Sequence, residues 1–196
     1  MRSLAKAIAL VLLTPVTVLG QGMPGLLGPD HIGLTVPDVA EATAFFTDVL
    51  GCKSYFSRGP VKLEGDWMKE NLNVHPRAEI KIVTFIRCGH GSNIELFEFR
   101  SPEQNAVYPA NSDIGGHHIS FLVRDIKSAA TYLKTKGVKL LGDTKTNASG
   151  PTAGASWVYF VAPWGTQFEL RQTPDEMPYE REFGPPPLWS PAKPAE

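Results

Sequence analysis

Two histidines and two glutamates recur at matching places in the two halves of this chain. His31 and His118 each begin a predicted strand, in DHIGLTVPD and GGHHISFLVRD, while Glu95 and Glu169 each follow a turn, in IELFEF and QFELRQ. Two imidazoles and two carboxylates are a donor set that suits nickel, zinc, cobalt, manganese or ferrous iron. Such an ion could polarise a carbonyl group, and a glutamate displaced by substrate could act as the base.

Repetition is what favours this interpretation. A single histidine at a strand end, or a single glutamate in a strand, is usually a surface group. His117 competes with His118, but only with His118 facing the cleft do the apolar residues that follow it point to the core. Other candidates are predicted to be ordinary surface or paired residues: Glu98, on the face opposite Glu95, and His75 and His90, in a loop and a turn.

The elements that carry these residues form a repeated unit. Each histidine-bearing strand runs into an amphipathic helix, and three strands follow, so the order βαβββ occurs twice. The two halves differ mainly by an irregular insertion at about 58–78, in which Trp67 and Met68 form either a lid over the cleft or a packed root. The predicted fold is α+β, with tandem βαβββ modules forming a curved mixed sheet around a metal-containing cleft. The pattern leaves open whether modules pair within one chain or in a homodimer.

The chain is therefore divided into six segments. They are a signal peptide (1–20), a lead-in (21–29), the first module (30–100), a linker (101–114), the second module (115–172) and a proline-rich tail (173–196), which is expected to be an extended arm or partly disordered.

The first twenty residues have the features of a secretory signal. Arg2 and Lys6 precede an apolar run over 7–19, and small residues lie at the positions that a signal peptidase reads before Gln21. The run is short for a membrane span, which needs about 20 apolar residues. We expect an exported protein, periplasmic or secreted, with no membrane contact after cleavage; a retained N-terminal anchor is the alternative.

The cysteines, one sequon and the net charge indicate which covalent modifications and partners to expect. Cys52 and Cys88 are the two cysteines, and antiparallel pairing of their strands would allow a disulfide, the alternative being two buried thiols. Asn147 begins a glycosylation sequon that matters only in a eukaryotic host. The net charge of −1 gives no reason to expect nucleic acid, so the predicted partner is a small-molecule substrate.

These motifs resemble the vicinal oxygen chelate family, which includes glyoxalase I, methylmalonyl-CoA epimerase, extradiol dioxygenases, and fosfomycin and bleomycin resistance proteins. The resemblance covers about 30–172 and is carried by DHIGLTVPDVAEATAFFTDVLG, IELFEF, HHISFLVRDI and APWGTQFEL. It implies metal ligands at His31, Glu95, His118 and Glu169. It also implies proton transfer of the glyoxalase and epimerase kind, with Glu169, or less readily Glu95, as catalytic base.

The sequence thus predicts a divalent-metal-dependent enzyme of this family. It would catalyse proton transfer, isomerisation or lyase chemistry on a small oxygen-rich substrate. The alternatives are a ring-cleaving dioxygenase that uses ferrous iron and a non-catalytic binding protein of the resistance type. Glutathione and CoA thioesters are mostly cytosolic, so an exported enzyme would seldom meet them.

Overall fold

The computed structural model describes residues 23–184 and 188–194. The predicted signal peptide and the start of the lead-in lie outside these residues. Within them, no helix is long and apolar enough to cross a membrane.

The first module contains four strands and two short helices. These are β1 (His31–Thr35), α1 (Val39–Ala44), β2 (Lys53–Arg58), α2 (Trp67–Leu72), β3 (Glu79–Arg87) and β4 (Asn93–Arg100). α1 continues as a π-helical turn over Phe45–Val49. α2 lies in the insertion.

The second module repeats this order, with a short strand in the place of α2. Its elements are β5 (Ile119–Leu122), α3 (Ile126–Thr135), β6 (Lys139–Leu140), β7 (Lys145–Thr146), β8 (Ser156–Val161) and β9 (Gln167–Gln172). The stretch VKLLGD predicts one strand over 138–143, but β6 is shorter, because the chain turns at Gly142, which has a positive φ of 90°. The Gly/Ser-rich stretch TNASGPTAGA (146–155) predicts a loop, but its first residue, Thr146, belongs to β7, which pairs with β8.

The two sheets have equivalent topologies. The first has the order β1-β4-β3-β2 and the second β5-β9-β8-β6, and in each the first strand lies parallel to the last while the others pair antiparallel. The prediction of an α+β fold built from two βαβββ units is therefore confirmed.

One hydrophobic core joins the two modules. The Phe45 ring lies 5.4 Å from that of Trp164, and Phe46 lies 5.7 Å from Phe168. The alternation in DHIGLTVPD predicts that Ile32, Leu34 and Val36 all face the core. Leu34 of β1 and Val36, just after it, are buried as predicted, but Ile32 is 38% exposed, contrary to prediction. Since side chains alternate along a strand, the faces that carry the histidines and glutamates point away from this core.

Cys52 and Cys88 form a disulfide, which decides between the two alternatives left by the sequence. Their Cα atoms are 4.4 Å apart, and the residues beside them, Lys53 and Arg87, are paired across β2 and β3. The bridge therefore links the start of the edge strand β2 to the end of β3.

The linker and the tail both pack on the modules. The Tyr108 hydroxyl donates a hydrogen bond to the Thr35 carbonyl, and burial raises the pKa of this phenol. In the tail, Met177 is buried and precedes α4 (Pro178–Phe183), a helix that the sequence did not predict because it lacks apolar periodicity. The Trp189 ring lies against Gly91, a residue of the turn that connects β3 to β4.

Candidate metal centre

His31 and Glu95 meet on the face of the first sheet that points away from the shared core. Strand β1 lies parallel to β4 with Gly33 opposite Glu95, which places the histidine two residues away on the same face. His31 Nε2 lies 3.1 Å from Glu95 Oε2, and its Nδ1 lies 2.7 Å from Asp30 Oδ2. Glu95 is buried, whereas His31 is partly exposed. We call His31 and Glu95 the first half-site.

His118 and Glu169 repeat this arrangement on the second sheet. Ser120 of β5 is opposite Glu169 of β9, and His118 again lies two residues earlier. His118 Nε2 is 3.6 Å from Glu169 Oε2, and its Nδ1 is 3.0 Å from Asn111 Oδ1. We call His118 and Glu169 the second half-site.

The hydrogen bonds favour one protonation pattern in both half-sites. A carboxylate oxygen or an amide oxygen can only accept, so Asp30 and Asn111 each favour a proton on the Nδ1 of the neighbouring imidazole. In the neutral ring, the Nε2 lone pair then faces a glutamate oxygen, which is also an acceptor. The imidazole nitrogen and the carboxylate oxygen repel each other at 3.1 Å and 3.6 Å unless a proton or a metal ion lies between them. Each half-site therefore offers two donor atoms to a cation.

His31 lies in a negative electrostatic environment. The hydrogen bond to Asp30 is the largest cause of a raised His31 pKa; desolvation opposes it, and the charges of Glu95 and Asp30 add to it. The same negative charges that stabilise a proton on His31 would also stabilise a bound metal cation.

The two half-sites do not come together within the chain. In the described ranges, no group of three or more His, Cys, Asp or Glu side chains is close enough to hold a metal ion. The sequence predicts that all four side chains converge; the structure brings His31 to Glu95 and His118 to Glu169, and one copy does not join the two pairs.

An aromatic ring stands beside each half-site. Phe85 is paired with Glu95 across β3 and β4, and its ring meets the His31 ring edge-on. Tyr159 is paired with Glu169 across β8 and β9, and its ring meets His118 in the same way.

The insertion covers part of the first half-site's face. Met68 of α2 is fully buried and packs with Val83 and Phe97, and Phe97 is two residues beyond Glu95 on the same face. Met68 therefore roots the insertion, while the neighbouring Trp67 is 43% exposed. Because α2 lies on this face, it forms a wall beside the first half-site.

The competing residues have structural roles. His117 is exposed and bonds the Gly115 carbonyl through Nδ1, and Glu98 is paired with Lys81 and accepts the N–H of Val39. His90 is exposed as predicted, but His75 is half-buried, and its Nδ1 accepts the N–H of Arg77.

Sequence reasoning missed the two residues behind the histidines. Asp30 directly precedes His31, and that adjacency was a usable signal. Asn111 lies in the linker seven residues before His118. Nothing in the local pattern marks it, since only the path of the linker brings it to the imidazole.

Comparison with known proteins places these features in a family context. A family model described as the glyoxalase/bleomycin resistance protein/dioxygenase superfamily matches residues 30–160. A 2-epi-5-epi-valiolone epimerase from Actinomyces sp. is 42% identical over 164 residues, which cover 83% of this chain and 88% of the relative.

Solved structures show the same fold at low sequence identity. A glyoxalase family protein from Bacillus cereus matches 78% of this chain and 99% of its own, at 19% identity and a TM-score of 0.59. One from Enterococcus faecalis matches 74% and 97%, at 16% identity and a TM-score of 0.51. A fosfomycin resistance protein from Listeria monocytogenes matches 76% and 96%, at 17% identity and a TM-score of 0.50.

Proposed function

Because the chain belongs to the glyoxalase/bleomycin resistance protein/dioxygenase superfamily, we propose that it is a divalent-metal-dependent epimerase of a small, oxygen-rich ketone. The Actinomyces relative is named for the epimerisation of 2-epi-5-epi-valiolone, and the "-one" ending denotes a ketone. The proposal takes this reaction type, and a substrate of this class, for the present chain.

The matched pair of His–Glu half-sites carries this proposal. Each histidine has its Nδ1 bonded to a side-chain oxygen and its Nε2 directed at a glutamate oxygen, at 3.1 Å and 3.6 Å. A structural histidine needs only one satisfied partner, whereas a metal-binding histidine is characteristically held by its second nitrogen. The donor set leaves the metal open among nickel, zinc, cobalt, manganese and ferrous iron.

The residues of the half-sites have distinct roles in this reaction. Inverting a centre next to a carbonyl requires removal of a proton and its return to the opposite face. A divalent ion bound at such a site polarises the carbonyl oxygen and thereby acidifies the neighbouring C–H. Glu169 is proposed as the base, because its oxygen is further from its histidine and no carboxylate stands behind that histidine. Glu95, the closer of the two, is proposed to remain a ligand.

A second copy of the chain is proposed to complete the centre. Each copy offers two donors in each half-site, and the two half-sites of one copy remain apart. Apolar side chains also remain exposed on the first sheet, including Tyr55 and Phe56, and Phe56 stacks on Phe85 beside His31. Joining the first half-site of one copy to the second half-site of another would cover this surface and supply four ligands.

We also propose that the mature protein is exported. The disulfide between Cys52 and Cys88 supports this, because disulfides persist mainly in oxidising compartments. Sequencing the N-terminus of the protein recovered outside the cytoplasm tests it: Gln21 is expected as the first residue, and a chain retained in the cytoplasm with Met1 would refute it.

The decisive experiment follows proton exchange at the reacting carbon. With purified protein and 2-epi-5-epi-valiolone in D₂O, we expect deuterium incorporation with epimerisation, loss of both after chelation, and recovery with added divalent metal. Glu169→Gln should abolish exchange, while His90→Ala, which alters an exposed histidine that belongs to neither half-site, should not. An absolute oxygen requirement would instead indicate a dioxygenase, and metal-free ligand binding unchanged by His118→Ala would indicate a non-catalytic binding protein.

A further inference from the structure

We infer that Asp30 and Asn111 are positioning residues which fix the tautomer of the two histidines and, through their different charges, make the half-sites unequal in metal affinity. The inequality rests on the proposed function, whereas the tautomer belongs to the metal-free protein and can be tested without it.

The geometry of the contacts carries the first part. Asp30 Oδ2 lies 2.7 Å from His31 Nδ1, and Asn111 Oδ1 lies 3.0 Å from His118 Nδ1. The two contacts are of normal hydrogen-bond length and occupy the same ring nitrogen. An imidazole that donates from Nδ1 keeps its lone pair on Nε2, the nitrogen directed at the glutamate. Both histidines are thereby prepared to bind a cation at Nε2 before it arrives.

The two contacts are built in unrelated ways, which argues that the arrangement itself is what the fold maintains. Asp30 is the chain neighbour of His31, whereas Asn111 is held by a turn in which Asp113 accepts the N–H of Ala110. Gly116 closes that turn, and a Cβ there would lie 2.2 Å from the Ala110 carbonyl oxygen. The linker turn therefore holds Asn111 behind His118, in the place that Asp30, the residue directly before β1, occupies behind His31.

The charges of the two partners differ. Asp30 places a carboxylate behind His31, so the first half-site has two negative charges around one imidazole, whereas Asn111 is neutral and the second half-site has one. A carboxylate partner makes an imidazole a stronger donor to a metal ion. Asp30 is largely exposed, so water and salt weaken its field, but the hydrogen bond to Nδ1 is direct. The first half-site should anchor the ion, and the second should release a ligand more easily.

The tautomers are measured in the metal-free protein labelled with ¹⁵N-histidine. Long-range ¹H–¹⁵N spectra, recorded where the imidazoles are neutral, should give the Nδ1–H form for His31 and His118. Asp30→Ala and Asn111→Ala should each shift their own histidine towards the Nε2–H form, and Asp30→Asn, which keeps an acceptor oxygen, should not. Nε2–H forms in the wild type, or tautomers that the alanine variants leave unchanged, would overturn the positioning role.

The effect of the Asp30 charge on metal affinity is measured by titrating the dialysed protein with Co²⁺ and following the ligand-field absorption. Asp30→Asn should weaken Co²⁺ binding by about 10-fold and Asn111→Asp should strengthen it by about 10-fold. Asp143→Asn, which removes an exposed carboxylate elsewhere, should leave it unchanged. Equal effects of Asp30→Asn and Asp143→Asn would overturn the inequality. A wild type with the expected tautomers but no Co²⁺ absorption would refute the proposed function and the inequality while leaving the positioning role intact.

Discussion

Phe85 and Tyr159 occupy equivalent positions in the two sheets and differ by one hydroxyl group. Phe85 is paired with Glu95 and Tyr159 with Glu169, and the ring centroids lie 5.7 Å and 5.0 Å from those of His31 and His118. Both contacts are edge-on, with interplanar angles of 72° and 80°. The two half-sites therefore share a frame, but only the second adds a phenol that can donate or accept a proton.

Tyr159→Phe should lower kcat at least 10-fold while leaving Co²⁺ affinity unchanged, since positioned acids and bases contribute about 10²–10⁴-fold to such steps. The reason is that an epimerase must handle a proton on both faces of the reacting carbon, and one glutamate serves only one face. Steady-state kinetics and metal titration of the same preparation check this. The reciprocal Phe85→Tyr variant is the matched control, and an unaltered kcat in Tyr159→Phe would show the phenol to be a packing group.

Mixing two inactive variants should restore activity if each centre is shared between two copies. A His31→Ala chain and a His118→Ala chain each spoil one half-site, and a mixed dimer then contains one centre with both half-sites intact. After unfolding and refolding together, random pairing gives about one quarter of the wild-type activity. Each variant refolded alone is the control. If the mixture stays as inactive as its components, the four ligands do not come from two chains.

Alternation and repetition allowed the half-sites to be predicted from the sequence. His31 with Glu95, and His118 rather than His117, follow from the two-residue period of strands and from equivalent positions in the two units. The parallel pairing of the first and last strands then brings each histidine to its glutamate.

The remaining features depend on the tertiary path of the chain. Asn111 reaches His118 only through the linker turn, and Ile32 is exposed because it lies at the very start of β1, before the core begins. Whether the two pairs form one centre within a chain or between chains stayed open for the same reason: periodicity defines which face a residue occupies but not how two modules are placed. Phe45 and Trp164 fix that placement through the shared core.

Glu98→Ala should destabilise the fold by about 1–3 kcal/mol, the usual cost of leaving a buried partner without its hydrogen bond. Glu98 accepts the N–H of Val39, the first residue of α1, and also pairs with Lys81. Gln172, at the same position in the second module, accepts the N–H of Ile126 in the same way. Glu98→Gln should therefore retain most of the stability.

Urea unfolding followed by tryptophan fluorescence measures these differences. Gln172→Ala serves as the matched variant, since it removes the equivalent hydrogen bond to the first N–H of α3 without removing a charge. Equal stability of Glu98→Ala and the wild type would mean that α1 does not depend on this cap.

Removing the disulfide should destabilise the protein by about 4 kcal/mol, the chain-entropy expectation for a loop of this size. Cys52 and Cys88 are 36 residues apart in sequence, and the loop between them contains the insertion with α2. Without the bridge, the unfolded chain gains freedom in that long segment, so the loss should be seen in the free energy of unfolding. Urea unfolding of the Cys52→Ser/Cys88→Ser variant, compared with the reduced and oxidised wild type, measures it. Thiol titration of the unfolded, non-reduced wild type should find no free thiols; two free thiols per chain would contradict the bridge and remove its support for export.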